Sequence, residues 1–200
     1  MSAVIQAFDR AALLATPWRN GGGLTREIAC VPPGAGLDGF DWRISIARID
    51  RPGPFSEFTG VDRQITLLEG AGVLLRPQGE ATAWRLDQPG RPLAFAGECP
   101  LWADLLGGPC EDLNVMTRRT RCRSEVLLCS GEAPSRDLPA APAGLLLAWR
   151  GDWQLQGGAQ DRALREGQGL WWHGGACAWS ARAASPDSAL ICVRIEQVDA

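Results

Sequence analysis

The sequence predicts an all-β chain built from two similar β-units, and three observations predict it. Twenty-four glycines and 14 prolines break the 200 residues into short segments, and stretches with helical periodicity are scarce. Between the breaks, apolar and polar residues alternate with the period of a strand that buries one face. Segments on either side of a Pro/Ala-rich stretch at 131–143 also resemble one another at an offset of about eighty residues.

Composition narrows the function classes. A hydrophobic fraction of 46% and a net charge of −3, with acidic and basic residues interspersed, belong to a folded globular chain. Nucleic acid is not an expected partner, because phosphate affinity needs a concentrated positive face and the sequence has none. All twenty basic residues are Arg, which reads as genomic composition bias rather than function. The seven cysteines, at 30, 99, 110, 122, 129, 177 and 192, form no C-x-x-C pair, and an odd number cannot close completely into disulfides. Met1–Arg10 lacks the basic and apolar regions of a signal peptide, and no apolar run reaches the roughly 18–20 residues of a membrane span. A soluble cytoplasmic protein with reduced thiols and no membrane contact is expected.

In chain order, Ile5–Leu14 reads as a strand and a short turn, after which Thr16-Pro-Trp-Arg-Asn-Gly-Gly-Gly23 interrupts regular structure. Leu24–Ala29 alternates, with Leu24, Arg26 and Ile28 on one face and Thr25, Glu27 and Ala29 on the other. Trp42–Ile49 does likewise, Trp42, Ile44 and Ile46 opposing Arg43, Ser45 and Ala47. These polar positions are short or singly charged, as strands lining a ligand-sized barrel would have them; a solvated outer face is the competing explanation. Gly53–Leu75 reads as a loop, a strand at Gln64–Glu69, a Gly-x-Gly turn at Gly70–Gly72 and a returning strand from Val73, together an opening hairpin. Arg63 stands where that loop enters the sheet, and hairpin formation requires no arginine there.

Further strands are expected at Ala81–Leu86, Leu93–Ala96, Leu101–Leu106, Asp112–Arg119 and Arg121–Cys129. The repeat pairs Thr66–Leu75 with Leu147–Leu155, and Gln88–Ala103 with Leu164–Ala181. The expected organisation is an N-terminal barrel at 1–130 holding a ligand pocket, a linker at 131–143, and a C-terminal unit at 144–200 that N-terminal strands could complete.

Strand, Gly-x-Gly turn and strand, followed by a Pro- or Gly-rich turn and two more strands, resembles the cupin barrel, and two copies resemble a bicupin. Trp18-Arg-Asn-Gly-Gly-Gly-Leu-Thr-Arg-Glu-Ile28, Trp42-Arg-Ile-Ser-Ile-Ala47, Gly53-Pro-Phe-Ser-Glu-Phe-Thr-Gly60 with Arg63, and Asp112-Leu-Asn-Val-Met-Thr-Arg118 are together similar to the HutD/Ves family. The similarity runs in order over roughly the first 120 residues and is architectural beyond Ala143. It implies two packed cupin-like β-barrels and a link with histidine utilisation, with N-formylglutamate as a suggested ligand.

Many catalytic cupins hold a metal on a His-x-His pair, a carboxylate and a further His. This chain has one histidine, His173, and carries Phe55-Ser-Glu-Phe58 where such a pair would stand. No metal and no other cofactor is expected. His173, among tryptophans and glycines, reads as a hydrogen-bonded structural residue. Asn20-Gly-Gly-Gly23 is a chain reversal, an anion-binding nest, or both.

Arg43, Arg63 and Arg118 are the guanidiniums placed nearest a pocket, each able to take a carboxylate in a planar fork. Glu27 and Asp104 are their internal partners; the bland alternative is that Arg43 simply pairs with Glu27, and Arg118 with Asp104. Trp18 could wall the pocket or belong to the core. The ligand-binding set is therefore Trp18, Asn20, Thr25, Glu27, Arg43, Ser45, Arg63, Asp104, Asn114 and Arg118.

The first reading is a metal-independent binding protein for a small carboxylate metabolite, modulating histidine utilisation or amino-acid catabolism. The second is a metal-free cupin enzyme, a hydrolase or isomerase of a small formylated or cyclic acid. The third is a protein-interaction module, with a homodimer as one form of it.

Overall fold

The computed structural model describes residues 3–79, 81–133, 135–157 and 161–198. Its strands are β1 (Val4–Asp9), β2 (Ala15–Pro17), β3 (Gly23–Val31), β4 (Trp42–Ile49), β5 (Gly53–Pro54), β6 (Val61–Glu69), β7 (Val73–Pro77), β8 (Trp84–Leu86), β9 (Pro92–Ala96), β10 (Leu101–Leu105) and β11 (Cys110–Arg118). They continue as β12 (Cys122–Ser130), β13 (Arg136–Ala141), β14 (Ala143–Arg150), β15 (Trp153–Gln156), β16 (Arg162–Leu164), β17 (Gln168–His173), β18 (Cys177–Ala183) and β19 (Ala189–Gln197). Helix among the described residues is limited to a 3-10 turn at Arg10–Ala12 and one short α-turn at Gly36–Gly39.

The chain divides into two compact units, one of residues 14–123 and the other of residues up to 13 together with 124–197. The first holds a six-stranded sheet, β2-β3-β4-β11-β6-β9, and a four-stranded sheet, β5-β10-β7-β8. The second holds β1-β17-β14-β19-β12 and β13-β18-β15-β16. Each strand from β4 to β11 has a counterpart eight strands later in the same place in its sheet. The repeat glimpsed in the sequence is thus a repeat of whole units, with β2 and β3 added to the first and β1 to the second.

Four expectations change in detail. The boundary falls near 123 rather than 130, because β12 lies beside β19 in the second unit, and β1 joins that unit by pairing with β17 from Val4↔His173 to Asp9↔Gln168. The stretch expected as a linker contains β13, which pairs with β18; Pro134 lies outside the described residues. Gly70–Gly72 is a corner and not a hairpin turn, since β6 pairs with β11 and β9 whereas β7 pairs with β10 and β8. A bulge between Glu27 and Ala29 moves Ala29 to the face of Ile44, so the alternation of β3 does not hold to its end.

The corner depends on glycine chemistry. Gly72 has φ +88°, and a Cβ there would lie 1.8 Å from the Leu86 carbonyl oxygen. Gly23 is needed for a different reason: its Cβ would lie 2.0 Å from the Arg48 carbonyl oxygen, where β3 crosses close to β4.

Each unit buries a core between its two sheets. In the first, Ile49, Ile65 and Leu67 of the large sheet meet Val73, Leu75, Leu86, Leu101 and Ala103 of the small one. In the second, Leu146, Leu170, Trp172, Leu190 and Cys192 meet Trp153, Leu155, Leu164 and Trp179. Each large side chain contributes about 1.5–3 kcal/mol by leaving water.

Candidate functional site

Register decides which side chains share the interior of the first unit. Directly paired residues of an antiparallel sheet point to the same side. On β11, Asn114 lies opposite Ser45 of β4 and Ile65 of β6, while Met116 lies opposite Arg43 and Arg63. Ser45 in turn faces Glu27 of β3, Ala47 faces Thr25, and Arg63 faces Phe95 of β9. Thr25, Glu27, Arg43, Ser45, Arg63 and Asn114 therefore occupy one face, the face that carries Ile49, Ile65 and Leu67 into the core between the sheets. The equivalent interior of the second unit holds aliphatic, cysteine and tryptophan side chains, and among the described residues the buried polar and charged side chains other than Ser188 lie in the first unit.

Arg63 is the centre of this face. It lies within β6, two residues past the strand's start, and not at the loop edge. Its side chain is buried, with Nε donating to Asn114 Oδ1 at 3.4 Å and Nη1 to the Ser56 carbonyl at 3.2 Å. The rings of Phe55, Phe58 and Phe95 surround the guanidinium at 5.3, 5.7 and 5.1 Å. No carboxylate is in ion-pair contact with it among the described residues, and Nη2 donates to nothing there.

Burial drives the Arg63 pKa down to about 10, partly offset by Asp112. The group is still a cation at neutral pH. Aromatic faces attract that charge without consuming its donors, so it is stabilised but not neutralised.

Asp112 is the residue that the sequence reading missed. It is buried on the same face as Asn114, between Ala47 and Leu67, and its Oδ2 accepts no hydrogen bond. Burial raises its pKa to about 7; the Arg63 charge opposes the rise and Glu111 adds to it. The signal was available, since alternation from Asn114 two residues back along β11 lands on Asp112.

Arg43 and Glu27 form an ion pair, Nε to Oε2 at 2.7 Å, and Arg43 Nη1 donates to Ser45 Oγ at 3.5 Å. The Glu27 side chain is 51% exposed, which places this pair at the solvent side of the face. Trp18 packs against the core, and its Nε1 donates to Thr25 Oγ1 at 2.8 Å.

Three expected residues lie elsewhere. Asn20 is exposed and spends its Oδ1 on the Gly22 amide at 3.0 Å, while the Gly21 amide donates to the Trp18 carbonyl, so the loop is a turn that uses both of these amides internally. Asp104 points away from the interior on β10, bound to Arg76 Nε at 2.7 Å and Trp102 Nε1 at 3.1 Å, because its neighbours Leu101 and Ala103 take the inner positions. Arg118 does not meet Asp104 but donates to the carbonyls of Phe40 at 3.1 Å and Asp38 at 2.8 Å, clamping the turn at 36–40.

A metal does not fit this site. Phe55 and Phe58, in the segment expected to replace a His-x-His pair, turn their faces to the Arg63 guanidinium. Among the described residues, no three His, Cys, Asp or Glu side chains converge as ligands. His173 lies in the second unit, stacked on Trp171 at 5.6 Å. That unit has a groove of about 490 Å³ between β1, β16 and β17, but its Gln168 and Asp9 bond one another and converge on nothing further.

The sequence profile of the family described as HutD matches residues 10–191. A relative from Citrobacter koseri named "Protein Ves" is 40% identical over 86% of this chain and 84% of its own. A Pseudomonas putida relative, "Uncharacterized 21.2 kDa protein in hutC 3'region", is 42% identical over 66% of this chain and 67% of its own. The solved structure of HutD from Pseudomonas fluorescens superimposes with a TM-score of 0.82 at 28% identity, covering 98% of this chain and all (100%) of that one. A cupin 2 conserved barrel domain protein from Leptotrichia buccalis matches at a TM-score of 0.60 and 8% identity over 96% of each chain, a likeness of fold alone.

Proposed function

The chain belongs to the HutD family, and from that membership we propose that its first cupin-like unit binds a small carboxylate metabolite, such as N-formylglutamate, without a metal. Binding would report the ligand to histidine utilisation or a related branch of amino-acid catabolism. The observation that carries the reading is Arg63: a buried guanidinium held by three aromatic faces and two neutral oxygens, with Nη2 left over. Burying a charge is costly unless something pairs with it. A ligand carboxylate supplies the missing partner, and Arg43, held by Glu27, lies on the same face.

The relative described as lying in the hutC 3' region supports the metabolic side of this proposal. Calorimetric titration of the full chain with N-formylglutamate and other small dicarboxylates tests it. Saturable binding that Arg63→Ala abolishes, with the fold retained by circular dichroism, is the expected result; wild-type affinity in that variant would put the site elsewhere.

A further inference from the structure

Besides Arg63, whose Nη2 has no acceptor among the described residues, the interior of the first unit holds a second incompletely satisfied polar group. Asp112 is 2% exposed, and its Oδ2 meets no donor. Its cross-strand neighbours, Ala47 and Leu67, are apolar, and the facing sheet presents Val73, Leu75, Leu101 and Ala103. A buried carboxylate so placed loses its hydration and gains in return only the partial attraction of Arg63, with Oδ2 unbonded, whereas a carboxylic acid there costs less and offers one O–H donor.

We propose that Asp112 is protonated when the site is filled and donates its proton in a hydrogen bond to an uncharged oxygen of the ligand, so that binding an anion takes up a proton from solvent. The inference rests on the reading of Arg63 as a carboxylate anchor and deepens it. The ligand class becomes a carboxylate that also carries a neutral carbonyl, as an amide or formamide does. Arg63 takes the negative end and Asp112 the neutral oxygen.

The charges around Asp112 set the direction of the coupling. Arg63 on β6 favours its ionised form and Glu111 on its own strand favours the acid; Arg43 on β4 and Glu27 on β3 share the face but pair with each other, and the Cys110 thiol, pushed up to about 12 by burial and neighbouring carboxylates, stays neutral. In the free protein, Arg63 restrains the acid form. A ligand carboxylate on Arg63 cancels that restraint and adds a negative charge of its own, so the acid form is favoured further. Conversely, raising the pH removes the proton and leaves two anions facing each other.

The test is titration of the wild-type full chain with N-formylglutamate from pH 6 to 8.5, in two buffers of different ionisation heat. The expected result is uptake of up to one proton per ligand at the alkaline end, and an affinity that falls there by up to about tenfold per pH unit. Asp112→Asn, which keeps shape and a donor, should bind with an affinity that does not fall over this range. A carbonyl band of a protonated carboxyl in the infrared spectrum of the complex, absent from Asp112→Asn, is the matching signature in the wild type. Binding without proton uptake, or a pH slope that Asp112→Asn keeps, would overturn the donor role alone. Failure of wild-type protein to bind any of these carboxylates would overturn the Arg63 reading and the donor role with it.

Discussion

Arg63 Nε reaches Asn114 Oδ1 across the β6–β11 pair at 3.4 Å, which is long for an N–H···O bond. The buried guanidinium is therefore aimed by a weak side-chain contact and one backbone carbonyl, and a stronger anionic acceptor can redirect it. Asn114→Ala should weaken carboxylate binding by a few-fold, about 1 kcal/mol for one neutral hydrogen bond. Calorimetry on the variant checks this; an unchanged affinity would mean that the three phenylalanines alone orient the cation.

Arg63→Met should behave in opposite ways in two assays. Replacing an incompletely paired buried charge by an apolar side chain of similar length leaves stability unchanged or raises it, by about 1–4 kcal/mol in comparable cases. Ligand-induced stabilisation should vanish. Urea denaturation with and without ligand separates the effects, and a large loss of stability would show that the guanidinium serves the fold.

Asp112 gives a pH prediction with a definite sign. Its pKa in the folded chain, about 7, lies above the unfolded value of about 3.9, so between these limits the folded state holds the extra proton. Its contribution to stability is then full below the unfolded value, falls as pH rises through this window, and is level above about 7. Asp112→Asn lacks the term. Thermal melts at pH 5 and pH 8 should show the variant gaining on wild type at the higher pH; parallel behaviour would place the Asp112 pKa in the ordinary range.

The two other candidate carboxylates should separate from Asp112. Asp104→Asn removes a contact to Arg76 on the outer side of β10 and should leave carboxylate affinity unaltered. Glu27→Gln breaks a half-exposed pair with Arg43, a change of about 1 kcal/mol or less in stability, measurable by urea denaturation. Loss of binding in Asp104→Asn would contradict the assignment of faces from strand register.

Gly72→Ala should be the most damaging of these substitutions. The left-handed backbone costs an L-residue about 1–2 kcal/mol, and the new methyl also meets the Leu86 carbonyl. A melting temperature close to wild type would show that the β6–β7 corner can open without cost.

Much of the site was legible because alternation is a local property. Arg43, Ser45 and Glu27 follow from period two alone, and the structure places them with Arg63 and Asn114. What alternation cannot show is which strands pair and what lies across the interior. The inward faces of β10 are taken by Leu101 and Ala103, so Asp104 is displaced outward; Arg118 sits at the end of β11, where the turn at 36–40 offers carbonyls. Period two also fails at the β3 bulge, which no spacing in Leu24–Ala29 announces. Asp112 was overlooked for a different reason. An acidic residue in a strand suggests solvent, and only the apolar neighbours on β4 and β6 show that none reaches it.

The pairing of β1 with β17 bears on how the chain is made. During synthesis β1 waits for a partner some 160 residues later, while residues 14–123 are contiguous and can fold in the interval. In the language of chain order, the first unit is an insertion within the second. A chain stopped after residue 123 would release a complete copy of the sheets that carry Arg63 and Asp112, together with an orphaned strand, Val4–Asp9, whose hydrogen-bonding edge is open to whatever it meets.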